Sequence, residues 1–199
     1  MKRAMWYSAI CMLLVVFIFP SSANSAEPME MIKNTTERII KIVSDPKLKG
    51  KSMTDKRRAL IRGAVNEIFD WEEFSKRSLG RHWRKRTPEE KKEFISLYSK
   101  LLEKTYIDKV EGYSGEEVHY LYEKIEGRYA KVKVEVITEK GQKIPVQYRF
   151  IKKNGKWRVY DLVIEGVSLT NNYRAQFNNI LVRSSFKTLL KKLKKKVSK

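Results

Sequence analysis

The hydrophobic period of the chain changes at Glu117, and no other feature narrows its architecture so far. Before that point apolar residues recur every three to four positions; after it they alternate. Val118, Tyr120 and Tyr122 begin the alternating region, followed by Ala130, Val132, Val134 and Val136, then Ile144, Val146, Tyr148 and Phe150, then Trp157 and Val159. A period of two sends one face of each run into a core and the other into water. The links carry Gly127, Gly141 and the pair Asn154 and Gly155. Asn-Gly between alternating runs favours a two-residue hairpin, because both residues tolerate positive φ. The pattern predicts a four-stranded antiparallel meander with Lys131, Lys133, Glu135, Gln147 and Arg149 on its outward face. Alternation fails at Asp161, where Leu162, Val163 and Ile164 run on; a bulge or a strand buried on both sides accounts for that.

Helices flank the sheet in sequence. Met29, Ile32, Thr36, Ile39, Ile40 and Val43 share one face of a first helix that Asp45 and Pro46 end, and a second starts at Thr54 or Asp55. An aromatic stretch, Phe69 to Trp83, is broken at Gly80. Thr87, Pro88 and Glu90 then form a capping box with proline at the first helical position, and Phe94, Leu97, Tyr98, Leu101, Leu102, Thr105 and Tyr106 line the buried side of the helix. After the sheet, Gly166 turns the chain, Ser168 caps a helix bearing Tyr173, Phe177, Ile180 and Leu181, and a basic helix over residues 183–198 closes the chain. The fold class is α+β: a four-stranded antiparallel meander covered on one face by N-terminal and C-terminal helices, with an apolar cavity between them, a cone of the NTF2-like kind.

Lys2 and Arg3 precede an apolar run from Ala4 to Phe19 that ends in Pro20 and small residues, the pattern of a secretory signal peptide over residues 1–25, with cleavage after Ser25 or Ala26. The run is shorter than the roughly 20 residues of a membrane span. Cys11, the one cysteine, falls inside it, so residues 26–199 are read as a single domain that needs no disulfide in an oxidising compartment. Loss of the leader lowers the net charge from +20 to +18, which favours an anionic partner. A nucleic-acid binder would show solvent-facing aromatics among the basic residues; here the aromatics alternate inward, and no nucleic acid partner is expected.

Reactive groups are sparse. His82 and His119 lie in different element types with no carboxylate at a pairing distance in sequence, and no zinc helix, nucleophile elbow or phosphate loop occurs. Asp161 and Glu165 are about 13 Å apart along a strand, so they read as groups that bond the bulge and end the strand, with Arg174 as an ion-pair partner for either or a contact for an anionic head group. The competing enzyme reading, on the same cone, would use Asp161 and Tyr160 on a hydrophobic substrate. Neither a catalytic residue nor a metal or cofactor is expected.

Two stretches carry a family resemblance. WRVYDLVIEGVSLTNNYRAQFNNIL and FDWEEFSKRSLGRHWRKRTPEEKKEFISLYSKLLEKTY resemble the MlaC family, also known as toluene-tolerance or ABC-transporter auxiliary proteins. That resemblance implies a monomeric periplasmic phospholipid carrier of Gram-negative bacteria. Its implied partners are an inner-membrane ABC transporter with an MCE-domain protein and an outer-membrane lipoprotein and porin complex; moving lipid between them would maintain outer-membrane asymmetry. By position, Val132, Val134, Val136, Val146, Tyr148 and Phe150 would form the sheet wall around the acyl chains, and Phe69, Phe74, Leu79, Tyr98, Leu102, Tyr173 and Phe177 the helical wall. The lysine-rich last helix is more basic than the family requires; it reads either as a transient contact with an anionic membrane or an acidic partner, or as a solvated helix that closes the core.

Overall fold

A computed structural model describes residues 27–198; the expected signal peptide and Cys11 lie outside them. Helix α1 spans Pro28–Ser44, α2 Thr54–Ile68, α3 Trp71–Leu79 and α4 Pro88–Glu111, with a 3-10 segment, Gly80–Lys85, between the last two. Strands β1 (Glu117–Glu126), β2 (Tyr129–Ile137), β3 (Lys143–Lys153), β4 (Lys156–Ile164) and β5 (Val167–Ser168) follow, then α5 (Leu169–Leu181) and α6 (Phe186–Ser198). No helix of the described residues is long and apolar enough to cross a membrane.

The sheet is antiparallel in the order β1-β2-β3-β4-β5, so it has five strands where the pattern predicts four. The extra strand comes from a second tight turn. Glu165 and Gly166 both have positive φ, as Asn154 and Gly155 do at the β3–β4 hairpin. Gly166 therefore folds Val167 and Ser168 back onto Val163 and Ile164 before the helix starts. Ser168 caps α5 by accepting from the Asn171 amide, and Thr87 and Glu90 form the expected capping box of α4. The basic helix begins at Phe186 rather than residue 183, with the Ser185 hydroxyl accepting from the Thr188 amide at 3.2 Å.

Two bulges re-aim side chains. In β1 the register slips between Tyr120 and Tyr122, so Tyr120 pairs with Val134 but Tyr122 pairs with Lys133. Opposed residues share a face; Tyr122, expected inward, thus joins the outward face and is 45% exposed. Glu123 takes the inward place opposite Val132, where its carboxylate accepts from the Met29 amide at 2.6 Å. That bond explains why a charge is tolerated inside: Glu27 gives α1 no side-chain cap, and the sheet supplies the missing acceptor at the positive end of the helix. In β4 the register passes from Val159 to Asp161, leaving Tyr160 as the extra residue of the expected bulge.

Helix α1 lies on β1 and β2, whereas α2, α3 and α5 reach the sheet at β4. Beside β4 the chain at Phe69 forms a parallel bridge to Val159, and the Asp70 amide donates to the Val159 carbonyl at 2.8 Å. Glu123→Ala is expected to lower stability by about 1 kcal/mol in urea titration and to speed amide exchange selectively at the start of α1.

Candidate functional site

The register sets out the inward face row by row. Val118, Val136 and Ile144 form one row; Tyr120, Val134, Val146 and Ile164 the next; Glu123, Val132, Tyr148 and Leu162 the third; Ile125, Ala130, Phe150 and Val159 the last. The outward face carries Lys131 opposite Arg149 and Lys133 opposite Gln147, as the alternation predicts.

The thirteen residues expected around the acyl chains fall into two apolar clusters, not one. Phe74, Leu79, Tyr98, Leu102, Tyr173 and Phe177 belong to a helical cluster with Phe94, Phe186 and Leu189. Val132, Val134 and Phe150 belong to a sheet cluster with Ile32, Trp157 and Val159, against which Val146 and Tyr148 are partly buried. Val136 is half-buried in its row beside Ile144. Phe69 packs against both clusters, and so does Leu162, a residue that the broken alternation of β4 hides. Ile164 and Tyr106 flank the helical cluster, Val118 and Tyr120 the sheet cluster, all partly buried. These residues also lie outside the expected wall, and strand register is the signal that finds Ile164, Val118 and Tyr120.

Tyr98 is the hub of the helical cluster. Its ring lies 5.1 Å from Tyr173 and 5.2 Å from Phe177, both edge-on, and 5.5 Å from Phe94, the arrangement that ring quadrupoles favour. The Ser78 hydroxyl donates to the Phe74 carbonyl at 2.9 Å, so at 3.1 Å it accepts from Tyr98. Burial holds the Tyr98 hydroxyl protonated, far above the usual phenol range. On the sheet side, burial pushes the Tyr148 hydroxyl up to about 12 although the residue keeps some accessible surface. Both hydroxyls therefore stay neutral at physiological pH.

Two clefts, of about 480 and 550 Å³, open on the surface. The first is polar and lies among Val43, Arg57, Glu111 and Tyr113; the second, beside Phe69 and Trp71, is rimmed by Lys153, Lys156 and Arg158. Neither is lined by the expected sheet wall, in which Val132, Val134 and Phe150 are buried and Val136, Val146 and Tyr148 half-buried.

Asp161 is 1% exposed and fully engaged. Its carboxylate accepts from the Ser168 hydroxyl at 2.7 Å, the Thr170 amide at 3.0 Å and the Arg149 guanidinium at 3.1 Å. It thus ties β4 to β3 and to the start of α5, and the bulge that displaces Tyr160 puts it there. Tyr160 lies under the Arg77 guanidinium, 3.9 Å from the ring centroid. Glu165 is exposed at the turn.

Arg174 does not pair with Asp161 or Glu165. Its Nε donates to the Arg77 carbonyl at 2.7 Å, at the end of α3, and its side chain lies 3.4 Å from where a Cβ on Gly80 would stand. Gly80, at φ +53, meets both the turn and this close approach. The histidines are also placed differently from expectation in one respect: His119 lies 3.1 Å from the Glu117 carboxylate, since residues two apart share a strand face, and both are exposed. His82 meets Asn178 at 3.0 Å.

Charged groups lock α3 to the β3–β4 hairpin. Lys153 reaches Asp70 at 2.7 Å and Glu73 at 3.2 Å, and Arg77 reaches Glu73 at 3.0 Å. Burial alone would raise the Glu73 carboxyl, but Lys153, Arg77 and Lys76 outweigh it and hold the group below the usual range.

Comparison with known proteins gives a consistent result. The family model described as MlaC protein matches residues 33–195. The intermembrane phospholipid transport system binding protein MlaC of Haemophilus influenzae is 22% identical over 199 residues, spanning 97% of this chain and 93% of its own. The toluene tolerance protein ttg2D of Pseudomonas putida is 23% identical over 176 residues, spanning 87% and 82% respectively. A solved structure of the phospholipid-binding protein from Ralstonia solanacearum in complex with a phospholipid shares the fold, with a TM-score of 0.78, 23% identity, and coverage of 87% of this chain and 98% of that one.

Asp161→Ala is expected to cost about 3 kcal/mol in urea unfolding, because it strands Arg149 and the Thr170 amide. A change below about 0.5 kcal/mol would remove Asp161 from the role of tie.

Proposed function

This chain belongs to the MlaC family, and from that premise we propose that it binds a phospholipid and carries it between membranes. The observation that supports this best is the division of its apolar interior into two clusters that meet through Phe69 and Leu162. Ordinary core packing needs no such seam. A carrier does, because acyl chains must replace contacts between sheet and helices and later be replaced by them. The half-buried residues at the seam, Val146, Tyr148, Leu162, Ile164 and Tyr106, are the surface that the chains would meet first. Val132, Val134, Phe150, Phe74, Tyr98, Tyr173 and Phe177 stand deeper as the walls that part around them, with the head group left near solvent.

Burial of roughly 30 methylenes at about 0.8 kcal/mol each gives about 24 kcal/mol gross, above the roughly 18 to 21 kcal/mol at which noncovalent affinity saturates. Burial is therefore incomplete or offset by the separation of the clusters, and spontaneous release is slow. Handover requires a partner that favours the parted form. The proposed partners are an inner-membrane ABC transporter with its MCE-domain protein and an outer-membrane lipoprotein and porin complex. The site of action is the periplasm, and the consequence is maintenance of outer-membrane lipid asymmetry. The chain acts as a carrier and not an enzyme: both oxygens of Asp161, the leading catalytic candidate, are held by the groups that join β3, β4 and α5.

Val146→Arg places a charge on the seam, where its head can still reach water. Phospholipid extracted from the purified variant should fall at least about fivefold relative to the unaltered protein while the cooperative melt persists. Equal lipid content would contradict the placement of the chains. Rapid loss of lipid from the isolated protein into vesicles would contradict the need for a partner.

A further inference from the structure

Helix α6 resolves into two halves with different obligations. Phe186, Leu189, Leu190 and Leu193 are buried in the helical cluster against α4 and α5. The Lys104 ammonium on α4 donates to the Val197 carbonyl at 3.3 Å and fixes the end of the helix. Its apolar stripe is thus already occupied. On the opposite side Lys187, Lys191 and Lys195 fall on one i, i+4 row, with Lys192 and Lys196 beside it, all exposed. Lys194 pairs with Glu93 at 2.6 Å; the other five have no carboxylate partner among the described residues.

This concentration is local. Nine lysines and arginines, and no aspartate or glutamate, follow Glu165 in the sequence. Arg86 lies 4.5 Å over the Phe186 ring, which sets the exposed Arg84 and Lys85 next to the start of α6. Like charges held this close repel one another, and closure of the core uses Phe186, the leucines and Val197 rather than the lysines.

We infer that the lysine face of α6 docks the protein on anionic phospholipid bilayers. Protein interfaces centre on buried aromatic and arginine anchors and are depleted in lysine, whereas this face offers exposed ammonium groups and no apolar anchor. Lysine is a compact, hydrated point charge without the planar fork that suits specific carboxylate or phosphate recognition. A diffuse anionic surface attracts such groups at distances near the Debye length and needs no fitted pocket. The contact is electrostatic and reversible, since the leucines that would insert in the bilayer hold α6 on α4. It brings the carrier to a membrane without opening it, and it does not depend on the carrier reading.

The test is flotation of the purified protein with vesicles of phosphatidylcholine alone or with about one third phosphatidylglycerol, at low and physiological salt. Binding should appear with phosphatidylglycerol, be absent with phosphatidylcholine alone, and weaken as salt rises. The variant K187Q/K191Q/K192Q/K195Q should bind at least about 100-fold less tightly, at roughly fivefold per lysine, with an unchanged melting temperature and unchanged extracted phospholipid. No binding to anionic vesicles, equal binding to neutral ones, or full binding by the variant would overturn the inference. Retention on polyglutamate or duplex DNA without vesicle binding would overturn it in favour of an acidic protein or nucleic acid. Vesicle binding by a protein that yields no extractable phospholipid would leave docking intact and remove the carrier reading, so the two fail separately.

Discussion

Strand β4 must satisfy three neighbours that a regular strand cannot serve together. It pairs with β3 along its length, receives Phe69 and Asp70 beside Val159, and continues through Gly166 into β5 and α5. The bulge at Tyr160 reconciles these demands. It keeps Val159 in the inward row with Phe150, brings Leu162 into the row with Tyr148, and turns Asp161 toward Ser168 and Thr170. Both α3 and α5 depart from this strand, so the position of the helical cluster relative to the sheet is set along one line. Ion pairs of Lys153 with Asp70 and Glu73 fasten the hairpin end of that line, and Asp161 fastens the other.

That arrangement leaves the two apolar clusters separately well packed and joined by few side chains. Phe74, Phe94 and Tyr98 are completely enclosed in one, Val132, Phe150 and Val159 in the other. A protein interior is close-packed and resists continuous deformation, so space for acyl chains is more cheaply made at a seam than inside either cluster. On the proposed reading, sequestration and release would use the same boundary. The ion pairs of Lys153 and the hydrogen bonds of Asp161 engage none of the half-buried Tyr120, Val146 and Ile164, the row proposed to part around the chains.

Much of this was legible in the residues because the signals were local. The Thr87 and Glu90 box, the Asn154 and Gly155 turn, the Ser168 cap and the break at Asp161 each depend on a few adjacent positions. The slip at Leu121 was not legible, since an additional apolar residue in a run that alternates leaves an acceptable pattern on either side. What decides that Glu123 turns inward is the amide of Met29, 94 residues away in the chain. The partner of Arg174 is hidden for the same reason: the crossing of α5 over Gly80 determines it. Apolar wall residues could be picked by type and period, but their division between two clusters follows from how the helices sit on β4, which no local pattern carries.

The central claim is that this interior accommodates a phospholipid. The most direct measurement is native mass spectrometry of the protein purified from a bacterial periplasm without detergent. The account predicts a bound mass at near-stoichiometric occupancy that fragments to phospholipid. A protein mass with nothing bound, unchanged after exposure to phospholipid vesicles, would contradict it.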